Sequence, residues 1–394
     1  MRSDPFRLGL FIAAAFSVLG LYLPFWPAWL EERGLDDAQI GSLALAWAVT
    51  RGLASPLWAH FVDRSGHRRR WLIGIAFAST LAFLPFGLVP QQAGELFPLL
   101  LALTILFAGV HAALLPLGEN LLLLQARERG LDYGRMRLWG SVSFVVASTV
   151  GGRLIADGHE SRTWILLLGL LALGALAAPA LPPDPVRERG PRPSMPVASV
   201  LADRRVLAVL VGGGIVQASH AVYYVFSTLH WTAAGHSTDE IGLLWSEGVV
   251  AEALLFAAAR PLVARFGPRG LLGLALVGCT LRWSALALST DLGVLFGVQW
   301  LHALTFSAAH LAVMTQLSRA VPASHSATAQ SLYGTMNIAA HALTLLVATP
   351  IFHRAGAVAY WPMIGVALIG CCVGWWGMGA ADTESGASGG KPEA

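Results

Sequence analysis

The sequence predicts an all-α membrane protein of twelve transmembrane helices in two six-helix halves. Three observations carry that expectation. Hydrophobic residues make up 55% of the chain and charged residues only 12%, about half the roughly 25% usual in a soluble domain. Read in windows of about 20 residues, the chain is a succession of apolar stretches separated by short polar breaks. A polar loop after the second stretch is echoed after the eighth, about half a chain later.

The first stretch, residues 7–30, runs past the apolar region of about 7–15 residues found in a signal peptide. It is broken by "PFWP" and lacks a small-residue cleavage site, so it reads as a span. Stretches 39–59, 71–90, 96–124, 137–156 and 162–181 complete a first half, residues 1–181. Residues 182–205, including "LPPDPVRERGPRPSMP", form a Pro- and Arg-rich linker. The second half, residues 206–379, holds 206–232, 240–262, 270–289, 291–318, 325–352 and 357–379. Gly and Pro interrupt several stretches, which membrane helices tolerate where neighbours re-satisfy the freed backbone groups. The polar tail 380–394 is expected to be disordered and cytoplasmic.

Charge placement predicts orientation. Lys391 is the only lysine, and arginines gather on alternate loops: Arg64 with Arg68, Arg69 and Arg70; Arg127 and Arg129; Arg187 to Arg205; Arg265 and Arg269; Arg319. The intervening loops, "EERGLDD", "QQAGE" and "HSTDE", are acidic or nearly neutral. The positive-inside rule then puts both termini in the cytoplasm, in a multi-pass protein of a bacterial-type inner membrane. The net charge of +3 reports topology and implies no nucleic-acid partner. Trp26, Trp29, Trp58, Trp71, Trp164, Trp361 and Trp376 fall near segment ends, as an interfacial aromatic belt would. Cys279, Cys371 and Cys372 lie within apolar segments and read as free thiols.

"WAHFVDRSGHRRR" follows the second stretch and "AARPLVARFGPRG" the eighth. The first resembles the Gly-x-x-x-Asp-Arg-x-Gly-Arg-Arg loop of the major facilitator superfamily. Asp63, Arg64, Gly66, Arg68 and Arg69 are in place, with Ala59 and His67 as departures. Two halves joined by a mid-chain linker resemble the same superfamily. "PFWPAWL", "LDYGRMRLWGSVSFV", "QASHAVYYVFS", "AAGHSTDEIGLLWSEGVVAE" and "LHALTFSAAHLAVM" are similar to the 3-phenylpropionate/proton symporter family. That resemblance implies a proton-coupled importer of a small aromatic carboxylate working by alternating access. The alternative on the same frame is a sugar or nucleoside proton symporter. A more distant resemblance to the lactose permease family implies roles for Glu119, fifteen residues before Gly134, with Arg135 and Arg137 following. It implies roles also for Arg282 and for His302 twenty residues later. Thr305 stands where that family has its proton-carrying Glu.

Charged side chains inside a membrane are costly, from about 2.5 kcal/mol upward at mid-bilayer, and should face a water-filled path. Glu119, Arg137, Glu252, Arg51 and Arg282 are therefore functional candidates. Helical spacing puts Gln217, His220, Tyr224, Ser227 and Trp231 on one face of span seven, and Gln330, Tyr333, Asn337 and His341 on one face of span eleven. The expected substrate site is Glu119, Arg137, His220, Tyr224, Trp245, Tyr333 and Asn337, with Tyr223 and Trp139 as further aromatic surfaces. The expected proton site is Glu252, Arg282 and His302, with Glu252 partnered by Arg282. Spans four and five form an antiparallel hairpin, so Glu119 and Arg137 can pair across it. An incoming carboxylate would then compete for Arg137 and leave Glu119 free to take a proton.

The chain has no Gly-x-x-x-x-Gly-Lys-Ser/Thr loop, which argues against ATP-driven transport, and no His-Glu-x-x-His helix, which argues against a metalloenzyme. No catalytic residue, metal or organic cofactor is expected; the proton is the coupling ion. The expected partners are a small-molecule substrate, a proton and the lipid bilayer, with the protein a monomer.

Overall fold

The computed structural model describes residues 4–90, 94–129, 133–156, 161–183, 197–322 and 326–379. The centre of the predicted linker and the predicted disordered tail lie outside the described residues. Helices α1 (Asp4–Glu32), α2 (Asp37–Ser65), α3 (Arg68–Phe83), α4 (Phe97–His111), α5 (Leu114–Arg129), α6 (Tyr133–Ile155) and α7 (Arg162–Ala177) cover predicted spans one to six. A short α8 (Val197–Ala202) precedes α9 (Arg204–Ala218), α10 (Ala221–Ala233), α11 (Thr238–Ala257), α12 (Ala259–Leu288) and α13 (Leu292–Gln299). The chain closes with α14 (Ala309–Ala320), α15 (Ser326–Ala355) and α16 (Tyr360–Gly377).

Among the described residues, nine segments are long and apolar enough to cross a membrane by length and composition. Predicted spans eleven and twelve fall within one of these, Thr328–Gly377, and spans two and eight, on α2 and α11, within none. The reason is charge: α2 carries Arg51, Asp63 and Arg64, and α11 carries Asp239, Glu240, Glu247 and Glu252. Helix α1 continues through Pro24 and Pro27. The turn between predicted spans eight and nine is the Gly267–Pro268 step, where Gly267 has φ 61° and ψ 176°.

Three predicted spans are broken where the sequence suggested continuous helix. Span four divides between α4 and α5, where Pro116 has no N–H to give to the Ala112 carbonyl. Span seven divides at Ser219–His220. There the Ser219 hydroxyl bonds the Val216 carbonyl at 2.7 Å, and the His220 ring bonds the Gln217 carbonyl at 3.0 Å. Side chains have taken carbonyls that a continuous helix would use. Span ten passes through a π-helical turn, Ala303–Ala308. Gln217 Nε2 donates to the Phe306 carbonyl in that turn at 3.0 Å, so the two irregular segments complete each other.

The bundle is joined at one end and divided at the other. At the acidic-loop end, one apolar cluster runs through both halves, from Trp26, Phe83 and Phe107 to Phe226, Trp283 and Tyr360. At the arginine-loop end each half keeps a separate cluster, around Leu72 and Leu121 in the first and around Leu210 and Leu272 in the second. Backbone contact seals the joined end: a Cβ on Gly152 would lie 2.5 Å from the Thr238 carbonyl oxygen, and one on Gly242 would collide with that of Ser148. Ser148 Oγ donates to the Gly242 carbonyl at 3.0 Å, Thr149 and Ser246 hydroxyls meet at 2.7 Å, and Arg153 pairs with Asp239 at 3.1 Å. Two capping boxes, Asp36 with Gln39 and Ser237 with Glu240, start α2 and α11 at this end. The bonds from Ser237 hold the Glu240 carboxyl below its ordinary range.

Two belt tryptophans are corrected by the packing. Trp26 is 4% exposed and Trp29 fully buried, stacked 4.5 Å apart in the core, because α1 is enclosed on several sides. Trp361 and Trp376 are exposed, as a belt requires.

Candidate functional site

The first charged centre lies between α5 and α6. Arg137 Nε is 2.9 Å from Glu119 Oε1, and each side chain keeps 32% of its surface exposed. The Arg137 guanidinium also sits 4.1 Å above the Phe16 ring of α1. The pair expected across the hairpin of spans four and five is thus formed, in the first half, and stays partly exposed.

The second centre is built around Arg282, which is fully buried. Its NH1 donates to His302 Nδ1 at 2.8 Å and to Thr305 Oγ1 at 3.3 Å; its NH2 donates to Gln299 Oε1 at 2.7 Å. Tyr223 OH donates to the same Gln299 oxygen at 3.1 Å, and its ring lies 4.2 Å beneath the guanidinium. An arginine only donates, so His302 Nδ1 accepts and Nε2 carries the hydrogen. That nitrogen faces Glu252 Oε2 at 3.7 Å. Sequence reasoning expected Glu252 to meet Arg282 directly; the structure inserts His302 between them.

His220 Nδ1 donates to the Gln217 carbonyl, leaving Nε2 to accept from Thr305 Oγ1 at 3.0 Å. Thr305 therefore links His220 to Arg282. The broken turn at Ser219–His220 and the π-turn position these groups, and such irregular helix is common at functional sites.

Aromatic rings line the same region. Tyr223 and Trp245 lie 4.8 Å apart, Tyr224 stacks on His220 at 5.6 Å and on Trp245 at 6.2 Å, and His341 lies 6.0 Å from Tyr224. Trp245 Nε1 donates to Thr228 Oγ1 at 3.2 Å. His220, Tyr224, Trp245, Arg282, His302 and Glu252 are thus brought together.

Tyr333 is not in that group. It packs 5.7 Å from His310 in the second half's separate apolar cluster. Asn337, one turn along α15, presents a buried Oδ1 with no hydrogen-bond partner among the described residues. Ser227 bonds the Tyr360 hydroxyl at 2.7 Å and is fully buried, so that part of the predicted polar stripe packs in the core. Trp139 is 48% exposed beside Phe6, away from the aromatic group.

In the loop motif, Gly66 closes α2 at φ 69°, a conformation that suits glycine. Arg64 is exposed and Arg68 half-buried; the side chain of Asp63 lies outside the described residues. Arg69, present in the motif but given no role by sequence reasoning, donates to the Leu181 carbonyl at 2.7 Å and to Pro179 at 2.5 Å. It ties α3 to the end of predicted span six. The Pro-interrupted "PALPPDP", which leaves carbonyls free, was the available signal.

The family model described as MFS_1 like family matches residues 6–348. The chain belongs to the MFS_1 like family. This MFS_1 like chain is 33% identical over 360 residues to the "Probable 3-phenylpropionic acid transporter" of Escherichia coli (strain K12), covering 90% of this chain and 92% of that protein. It is 28% identical to the "Maltose permease" of Geobacillus stearothermophilus, over 82% of this chain and 81% of that protein. Among solved structures, the nucleoside transporter NupG (D323A mutant) superposes with a TM-score of 0.82 at 14% identity, over 95% of this chain and all of that one. That likeness establishes the fold. The MFS_1 like chain is a multi-pass membrane transporter with the all-helical fold expected from its sequence.

Proposed function

We propose that this transporter imports a small aromatic carboxylate, such as 3-phenylpropionate, together with a proton by alternating access. The observation that carries the reading is the Glu119–Arg137 ion pair, at 2.9 Å and one-third exposed. A paired guanidinium with exposed surface can exchange one carboxylate for another, and the released Glu119 is then able to accept a proton. Substrate and proton binding become mutually favourable, which symport requires. The printed name of the Escherichia coli relative supports the substrate class. Tyr224, half-buried beside the buried Tyr223 and Trp245, offers a ring face for a phenyl group. Glu252, His302 and Arg282 form a second charged group able to hold a proton. No organic cofactor or metal takes part, and the substrate leaves chemically unchanged.

The same reading takes the chain as a monomer of twelve spans, divided 1–181, 182–205 and 206–379, in a bacterial cytoplasmic membrane. The arginine-rich loops and both termini face the cytoplasm. Each proton moving inward contributes about 2.3 kcal/mol per 100 mV of membrane potential.

The test is uptake into proteoliposomes with radiolabelled aromatic acids, sugars and nucleosides, each with and without a protonophore. The expected result is protonophore-sensitive accumulation of the aromatic acid. Accumulation of a sugar or nucleoside instead would overturn the substrate, and protonophore-insensitive accumulation would overturn the coupling.

A further inference from the structure

Three of the candidate charges are arginines, Arg51, Arg137 and Arg282, and two of them are committed. Arg137 is held by Glu119, and Arg282 donates to His302, Thr305 and Gln299. The third, Arg51, stands midway along α2 (Asp37–Ser65). Its Nε is buried without a hydrogen-bond partner, and among the described residues no carboxylate pairs with it. An uncompensated cation at this depth costs several kcal/mol, about 2.5 or more, so a purely structural arginine would be paired as the other two are.

What surrounds Arg51 is aromatic. Its guanidinium lies 5.4 Å from the centre of Trp47. Trp47 stacks on Tyr22 at 5.0 Å, and Tyr22 stacks on Trp26 at 5.6 Å, giving a ladder of rings from α2 onto α1. On the other side His111, the last residue of α4, lies 6.2 Å from Trp47 and 5.1 Å from Phe107. His111 Nδ1 is likewise buried without a partner. The break after His111 aims this ring between α2 and α4. Two unsatisfied polar nitrogens and a stack of ring faces therefore converge on one region of the first half. The Trp26 end of the ladder lies within the joined, acidic-loop end of the bundle.

We propose that Arg51, with Trp47, Tyr22 and His111, forms a second binding site in the first half, taking an organic carboxylate that carries an aromatic ring. The planar guanidinium receives the carboxylate through two parallel hydrogen bonds, with His111 as an auxiliary donor. The aryl group lies along the Trp47–Tyr22 faces, where ring contacts add to the apolar burial. The site rests on the aromatic-carboxylate reading and deepens it. An anion entering from the acidic-loop end meets an unoccupied guanidinium before it must displace Glu119 from Arg137.

The experiment measures binding of radiolabelled 3-phenylpropionate to the purified full-length protein, with 3-phenylpropan-1-ol as the uncharged analogue. In the Glu119→Gln/Arg137→Gln double variant, saturable carboxylate binding should persist. Adding Arg51→Gln should weaken it by about ten- to a hundredfold, the loss of one charge-assisted bidentate contact. Arg51→Lys, which keeps the charge but not the fork, should fall between. In the Glu119→Gln/Arg137→Gln background the alcohol should bind weakly, a comparison that does not depend on Arg51→Gln folding. In that background, carboxylate affinity unchanged by Arg51→Gln, or equal affinity for acid and alcohol, would overturn the site while leaving the transport reading intact. A wild-type protein that binds no aromatic carboxylate would overturn both.

Discussion

Gly242→Ala should open the sealed end of the bundle. In the structure, a Cβ at Gly242 would strike the Ser148 carbonyl oxygen of α6, and the neighbouring Gly152 position has only 2.5 Å to the Thr238 carbonyl oxygen. An ordinary contact needs about 1 Å more than that, and the obstacle is backbone, so no rotamer change relieves it. Overpacking of this kind costs about 1–3 kcal/mol, which shifts the equilibrium away from the closed arrangement by roughly five- to a hundredfold. Ser246 reports on it, being 5% exposed with its hydroxyl bonded to the Gly242 carbonyl at 2.8 Å and to Thr149 at 2.7 Å. A Ser246→Cys reporter, with the exposed Cys372 changed to Ser, is labelled by a water-soluble maleimide in membranes. Gly242→Ala should speed labelling within that range. An unchanged labelling rate in a protein of unchanged thermal stability would refute the claim that glycine-mediated backbone contact holds this end shut.

Removing Arg282 should be the most destabilising single change in the second half. Arg282→Ala leaves His302 Nδ1 without its donor and Gln299 with only that of Tyr223 inside a fully buried site, and a loss of about 2–5 kcal/mol is expected in thermal melts in detergent. Arg282→Lys should recover only part of it, since an ammonium cannot span both acceptors as the planar fork does. Ser237→Ala should loosen the start of α11 by about 1 kcal/mol. The Glu240 carboxyl is held low by Ser237, so its stabilising effect is present above the unfolded pKa and is lost as pH falls through the folded value. Glu240→Gln should accordingly flatten the acid side of the stability–pH curve; an unaltered acid limb would contradict this.

Much of the site was legible because helix geometry is local. Glu119 and Arg137 sit on a hairpin whose turn the sequence marks, and the spacing alone puts them at one depth. The His220–Tyr224 face followed from a repeat of four. The break in predicted span four follows from Pro116, but those in spans seven and ten were less legible. The first depends on side chains capturing carbonyls, as Ser219 and His220 do, and the π-turn is completed by Gln217 from another helix. The intervention of His302 between Glu252 and Arg282 likewise depends on how α11 and α12 sit against the π-turn. Tyr333 shares a helical face with His341, yet about two turns of α15 carry it into a different apolar cluster. Trp26 and Trp29 looked interfacial by position and proved to be core, because sequence position gives depth but not the number of neighbours.

The exchange of partners at Glu119 and Arg137 is tested most directly by comparing wild-type and Glu119→Gln proteins in proteoliposomes. 3-Phenylpropionate is added under an imposed pH gradient, with external pH followed alongside label uptake. The wild type should concentrate the acid and alkalinise the medium as it does so. Glu119→Gln should still exchange labelled for unlabelled substrate, with neither concentration nor alkalinisation. Uphill accumulation by Glu119→Gln at the wild-type level would contradict the account.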